Sequence, residues 1–272
     1  MTVPTTTVGG LALSRVMCGS NPFFGFSHFS HARDVWLREY FSIDRIVQVL
    51  EKCSDHGVNC VMSGVMQPMH DAIQAFKQKT GREMVWVCTP AGKDIDEVER
   101  GIAWAAEHDA KICMPHTSHV DANLVISENR INGMERLCRA IRSHGMIPGI
   151  STHRPEALYI GVAAGYDLEA YILPLNVAGF LCAVETDWQA RTIRECPKPV
   201  FCIKPLAAGR VMPPSGLGFV LTNIKPTDVV VMGFTSVHEV EENMTIVDQV
   251  LAGMQTEVPL SEARSKAALQ RR

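Results

Sequence analysis

Apolar residues in this chain of 272 fall into two patterns that alternate along its length. Short runs rich in Val, Ile, Met and Cys cover Val16–Gly19, Asn59–Met62, Met84–Cys88, Lys111–Met114, Met146–Ile150, Ala170–Leu173, Val200–Ile203 and Asp228–Met232. They are too short and too continuous for helices and read as strands buried on both faces. Between them, apolar residues recur every three or four positions. Ile43–His56 collects Ile46, Val47, Val49, Leu50 and Cys53 on one side, and Ile95–His108 collects Val98, Ile102, Trp104, Ala105 and Ala106. Gly133–Ser143, Pro155–Ala164, Thr186–Glu195 and Val237–Leu251 repeat the pattern, with shorter helices at Asp71–Lys79 and Gly216–Asn223. Gly57, Gly81, Gly145 and Gly165 stand where helices should stop, and Pro155 where one should start.

Eight strand–helix units in strict alternation predict an α/β fold, a single-domain (β/α)8 TIM barrel over 1–254. No Gly/Ser linker divides it. The polar segment 255–272 reads as a peripheral helix or a tail.

Composition narrows the function classes. A net charge of −3 with no basic stripe argues against a nucleic-acid partner. The longest greasy stretch, Tyr171–Val184, is broken by Pro174 and Asn176 and is too short to span a membrane. Nine single cysteines without a CxxC pair read as buried reduced thiols, and the first residues lack the basic and apolar regions of a signal peptide. A cytoplasmic protein acting on a small molecule is expected. Arg33, Asp34, Arg38 and Glu39 read as a solvated or intersubunit face, so a homo-oligomer stays open.

A (β/α)8 barrel carries its chemistry at the C-terminal ends of its strands. Those ends hold Asn21, Gln67, His116, His153, Asn176 and Lys204, with His119 and Asp121 just beyond the fourth. Three readings of the histidines stand side by side: ligands of a divalent metal such as zinc or manganese (His116, His153, His119), metal-free acid/base groups, or structural side chains filling the mouth. Lys204 follows the apolar run Val200–Ile203, where loss of hydration would lower its pKa; it suits anion binding better than Schiff-base chemistry. Gly233, Thr235 and Ser236 precede a long helix and offer an anion cradle, although Ser236 and Glu239 also match a purely structural capping box. The uncharged stretch from Asn21 to His31 holds four phenylalanines and two histidines. It follows the first strand on the active face and reads as a pocket wall, with Phe24 and His28 reaching a substrate.

Three stretches resemble the aldo-keto reductases. Val8–Gly19 resembles their opening hairpin and first strand, and His56-Gly57-Val58-Asn59 resembles their turn into strand two. Lys204-Pro205-Leu206-Ala207-Ala208-Gly209 and Gly233-Phe234-Thr235-Ser236 through Asn243 resemble the segments after strands seven and eight. The resemblance implies a (β/α)8 barrel, NADPH and an Asp/Tyr/Lys/His tetrad. Met62 stands where the Asp would be, Gln67 where the Tyr would be, and Cys88 or Thr89 where the Lys would be; only the His is kept, as His116. No Lys or Arg pair after Ser236 would clamp a 2′-phosphate, and Lys225 and Arg210 are the nearest cations. The expectation is therefore an enzyme doing non-redox proton transfer on a sugar-like hydroxy or oxo compound: an isomerase, epimerase or lyase, catalytic through His116, His153 and Lys204. The alternatives are an NADPH-dependent reductase with a rearranged tetrad, and an inactive barrel serving as a binding module.

Overall fold

The computed structural model describes residues 3–256. The chain opens with a hairpin of β1 (Thr5–Val8) and β2 (Leu11–Ser14), then β3 (Val16–Gly19), α1 (His31–Tyr40), α2 (Ile43–Asp55), β4 (Cys60–Gly64), α3 (Gln67–Thr80), β5 (Val85–Thr89), α4 (Ile95–Glu107) and β6 (Ile112–Cys113). A one-turn helix α5 (Thr117–Val120) and a small hairpin of β7 (Leu124–Val125) and β8 (Arg130–Ile131) follow. Then come α6 (Met134–Ser143), β9 (Ile147–Ser151), α7 (Glu156–Ala163), β10 (Ala170–Pro174), α8 (Thr186–Glu195), β11 (Val200–Ile203), α9 (Pro213–Asn223), β12 (Val229–Gly233) and α10 (Val237–Leu251).

Eight strands close a parallel barrel in the order β10-β11-β12-β3-β4-β5-β6-β9. All eight expected strands are its staves. Alternation within each strand splits the core in two. Met17, Cys60, Met62, Val87, Ile112, Met114, Ile172, Phe201 and Val231 fill the lumen. Cys18, Val61, Trp86, Cys88, Cys113, Tyr171, Cys202 and Val230 face the helices. The β1–β2 hairpin turns on Gly9 and Gly10, both at positive φ (55° and 87°), the geometry of a two-residue hairpin turn. It plugs the bottom of the barrel, with Val8 and Leu13 in the lumen cluster.

Two elements depart from the expected pattern. Residues 31–40, among them Arg33, Asp34, Arg38 and Glu39 of the expected solvated or intersubunit face, form α1, of which only Leu37 is buried; one buried residue leaves no apolar period to detect. Asp34 accepts from the backbone N–H and hydroxyl of Ser27, and Arg38 donates to the Gly25 carbonyl, so α1 braces the aromatic loop before it. The third helix starts at Gln67, four residues earlier than its apolar pattern, with Pro68 in its first turn. All nine cysteines are free, eight of them buried. No helix among the described residues is long and apolar enough to cross a membrane. The reading of 255–272 falls, from residue 257 on, outside the described residues.

Candidate active site

The barrel mouth is assembled from the loops after β3, β6, β9, β10 and β11. His116 ends the β6 segment and is the N-cap residue of α5. Its Nδ1 accepts the backbone N–H of Ser118 at 3.2 Å and meets the Ser118 hydroxyl at 2.9 Å. A nitrogen that accepts a backbone N–H carries no proton, so this network assigns the ring proton to Nε2. Burial, followed by the charge of Lys204, holds the His116 pKa below its ordinary value, with Asp121 opposing. His116 is thus a neutral ring with a fixed tautomer.

His153 follows β9. Its backbone N–H donates to Asp121 at 3.1 Å. Its pKa is pushed down to about 4 by burial first, then by Lys204, with smaller effects of His116 and His28. His28 adopts a left-handed φ of 53°; its Nε2 faces the Asn21 amide nitrogen at 3.3 Å, which leaves its own proton on Nδ1. Burial and Lys204 lower its pKa as well.

Lys204 is the common neighbour of these three histidines. Phe201 and Ile203 of β11 point into the lumen and Cys202 points out. Strict alternation would send Lys204 outward to the helices. Instead Lys204 takes φ of 63°, outside the strand region, and its charge bears on His28, His116 and His153 at once. The left-handed turn costs about 1–2 kcal/mol for a residue with a side chain. Burial brings the ammonium pKa down to about 8, and among the described residues it has no hydrogen-bond or ion-pair partner. The lowered pKa follows the direction expected for a lysine after an apolar strand. Cys182, in the β10–α8 loop, lies beside it and was not anticipated from the sequence.

Asp121 was read as a loop residue near the histidines. Its carboxylate accepts from Thr117, from the Thr152 hydroxyl and from the His153 N–H, tying the β6 loop to the β9 end. It positions the mouth rather than facing it.

Other anticipated residues are spent elsewhere. His119 is buried with Nε2 unpartnered, and its nearest charge is Asp94 in the β5–α4 loop, away from His116 and His153. The three-histidine metal set therefore does not form. Among the described residues no group of three or more His, Cys, Asp or Glu is placed to hold a metal. Asn176 is buried and uses both ends of its amide on the Phe180 backbone, at 2.8 and 2.9 Å, to shape the β10–α8 loop. Gln67 sits exposed on the rim, its amide donating to Asp71 at 2.7 Å. The aromatic loop divides its phenylalanines. Phe23 is core and packs on Phe41, Phe24 is half-buried, and Phe26 and Phe29 are exposed. Phe29 and Phe180 both lie against the Arg210 guanidinium, at 5.2 and 4.4 Å, which joins three loops over the mouth.

The anion cradle expected at Gly233, Thr235 and Ser236 is filled from within. The Glu239 carboxylate accepts the Thr235 N–H at 2.7 Å and the Thr235 hydroxyl at 2.6 Å, while Ser236 caps the Glu239 N–H. This is a variant of the capping box in which the Glu239 carboxylate reaches back one residue beyond the N-cap and takes both donors of Thr235. Gly233 is required by packing, since a Cβ there would lie 2.7 Å from Pro22 Cδ. The cations named for a 2′-phosphate do not serve it either. Lys225 lies at the opposite pole, paired with Asp228, and Arg210 donates to the carbonyls of Ala207 and His28. The residues at the α10 pole do not fit the 2′-phosphate of NADPH.

No family model and no curated protein matches the chain. Solved structures match it over nearly its whole length. A protein assigned as an aldo-keto reductase from Pseudomonas aeruginosa superposes with a TM-score of 0.65 at 15% identity, covering 91% of this chain and 95% of that one. A glycerol dehydrogenase from Gluconobacter oxydans gives 0.61 at 12%, covering 95% and 98%. An aldo-keto reductase from Bacillus halodurans gives 0.58 at 11%, covering 99% and 96%. These neighbours are oxidoreductases by name, which overturns the preference for isomerase, epimerase or lyase chemistry. At such identities the likeness establishes the architecture alone. The chain has the aldo-keto reductase-like (β/α)8 fold, with Met62 facing the lumen, and Cys88 facing the helices or Thr89 donating to the Ser63 carbonyl, at positions where the resemblance implies catalytic groups.

Proposed function

We propose that this protein is an oxidoreductase interconverting a small carbonyl compound and its alcohol at the barrel mouth. The observation that carries the reading is His116, the one tetrad position kept, held as a neutral ring with its proton on Nε2 beside an unpartnered ammonium. Reduction of a carbonyl adds a hydride to carbon and leaves negative charge on oxygen. A fixed N–H and a poorly hydrated cation stabilise that charge more than they stabilise the neutral carbonyl, which is the condition for catalysis. Lys204 then supplies the proton. An acid with a pKa near 8 is matched to neutral pH, whereas an ordinary lysine is too weak an acid. Lys204 thereby does the work the resemblance gives to tyrosine, from a different strand. None of the chain's own side chains can give a hydride, so a reduced nicotinamide dinucleotide is the co-substrate by class. The closed α10 pole favours NADH over NADPH.

The test is consumption of NADH or NADPH by the full-length protein across a panel of aldehydes, ketones and oxo acids. Carbonyl-dependent oxidation is expected, lowered at least a hundredfold in His116→Ala and partly restored in His116→Gln, which returns an N–H. If neither dinucleotide is consumed and neither quenches tryptophan fluorescence, the reading fails and an inactive binding barrel takes its place.

A further inference from the structure

α7 carries one charge, on Glu156 at its start, and is otherwise built of Ala, Leu, Tyr, Ile, Gly and Val. A helix that is apolar all round belongs in an interior. Only one side of this helix is there. Ala157, Leu158, Ile160 and Gly161 are buried, while Tyr159 and Val162 stand 48% and 42% exposed. α6 behaves otherwise and shows Glu135, Arg136, Arg139 and Arg142 to water. α8 extends the apolar face with Trp188, which is 55% exposed.

These aromatics are braced across the two helices. The Tyr159 hydroxyl donates to the Glu195 carboxylate at 3.0 Å, and Arg191 Nε donates to the same carboxylate at 2.7 Å. The Arg191 guanidinium in turn lies over the Trp188 ring at 5.2 Å. Trp, Tyr and Arg are the side chains that dominate binding energy between proteins, and fixing them beforehand leaves less entropy to lose on contact.

The charges of α8 indicate what covers this face. Its start is acidic, with Glu185 at the N-cap and Asp187 in the first turn, and Arg194 lies in its last turn. Among the described residues the Glu185 and Asp187 carboxylates have no partner, and Arg194 meets only the neutral oxygens of Asn223. A second copy laid antiparallel about a two-fold axis sets the acidic end of each α8 against the Arg194 end of the other, and brings the two α7 faces together. A two-fold contact requires such self-complementarity. An anionic membrane is not matched, because the carboxylates of this rim (Glu156, Glu185, Asp187 and Glu195) outnumber its three arginines. We propose that the outer face of α7 and α8 is a dimer interface between two copies of this chain, helices antiparallel, with Tyr159 and Trp188 as apolar anchors and Asp187 facing Arg194 across it. The proposal does not depend on the carbonyl reading.

Helices of eight and ten residues make a small contact, so the dimer is concentration-dependent. Sedimentation equilibrium of the full-length protein should show monomer and dimer in exchange, with Kd on the order of micromolar. Trp188→Ala should weaken association by about tenfold or more with an unchanged Tm. Val162→Glu, on the other helix, should do the same. Asp187→Arg and Arg194→Asp should each impair self-association, because like charges then face one another. Mixed one to one, these two variants should associate again, since each then meets the opposite charge. A monomer at every concentration up to about 200 µM, a dimer indifferent to both Trp188→Ala and Val162→Glu, or charge variants that stay apart on mixing would each overturn the proposal. The readout is molecular mass, so failure here leaves the oxidoreductase reading standing, and loss of that reading leaves the dimer.

Discussion

Lys204 and Lys225 lie on either side of α9, one at each pole of the barrel. Both are largely withdrawn from water. At the bottom, the Lys225 ammonium reaches Asp228 at 2.8 Å, and Asp228 also accepts backbone N–H groups of Val200 and Lys225. Burial pushes the Asp228 carboxyl up, and Lys225 with the two backbone donors pulls it back. At the mouth, Lys204 has no counterion and three histidines for neighbours. The first lysine spends its charge on closing the fold. The second keeps its charge unpaired, at a cost in stability.

The largest effect expected from breaking this contrast is at the bottom. Lys225→Met leaves the buried Asp228 without its cation, and loss of one partner of such a pair costs about 3–5 kcal/mol. Urea unfolding should show that loss; a cost below about 1 kcal/mol would mean that Asp228 is satisfied by backbone alone. At the mouth the sign reverses. A pKa held about 2.5 units below its ordinary value corresponds to roughly 3 kcal/mol against the charged form. Lys204→Met should therefore unfold at higher urea than wild type while losing turnover, a trade common at functional sites. A destabilised Lys204→Met would show that the ammonium has a structural partner after all.

The smallest of the three effects is in pH. The His153 pKa lies near 4 when folded and near 6.5 when unfolded, so the unfolded chain binds the extra proton between these values. Stability should be fully present above about pH 6.5 and decline towards pH 4, by on the order of 2 kcal/mol. Lys204 acts in the other window. Between about pH 8 and 10.5 the unfolded chain holds the proton that the folded chain has released, so stability should rise with pH there. Lys204→Met should lose the alkaline rise and keep the acid decline.

Legibility in the sequence divided along similar lines. The eight strands were visible as short apolar runs, because a stave buried on both faces must be apolar throughout. The placement of His116, His153 and Lys204 at strand ends followed from the architecture. α1 was invisible because it buries one side chain. The histidine trio was misleading because the His116 ring is tied to Ser118 at the N-cap of α5, while His119 is buried with Asp94 as its charged neighbour. Asn176 and Ser236 looked available because their partners, the Phe180 backbone and the Glu239 side chain, are ordinary residues with nothing to announce the contact.

What the sequence determined by itself is the barrel, its register of buried faces, and the position of His116, His153 and Lys204 at strand ends. These depend on local periodicity and on the length of each unit. Only the tertiary structure decided which of those side chains keep a free polar group. It gave Lys204 a left-handed φ that breaks the strand alternation, drew the Asp121 carboxylate back into the β9 loop, and put the Glu239 carboxylate against Thr235 before α10. A polar group's availability depends on what stands opposite it across the fold. No pattern along the chain encodes that.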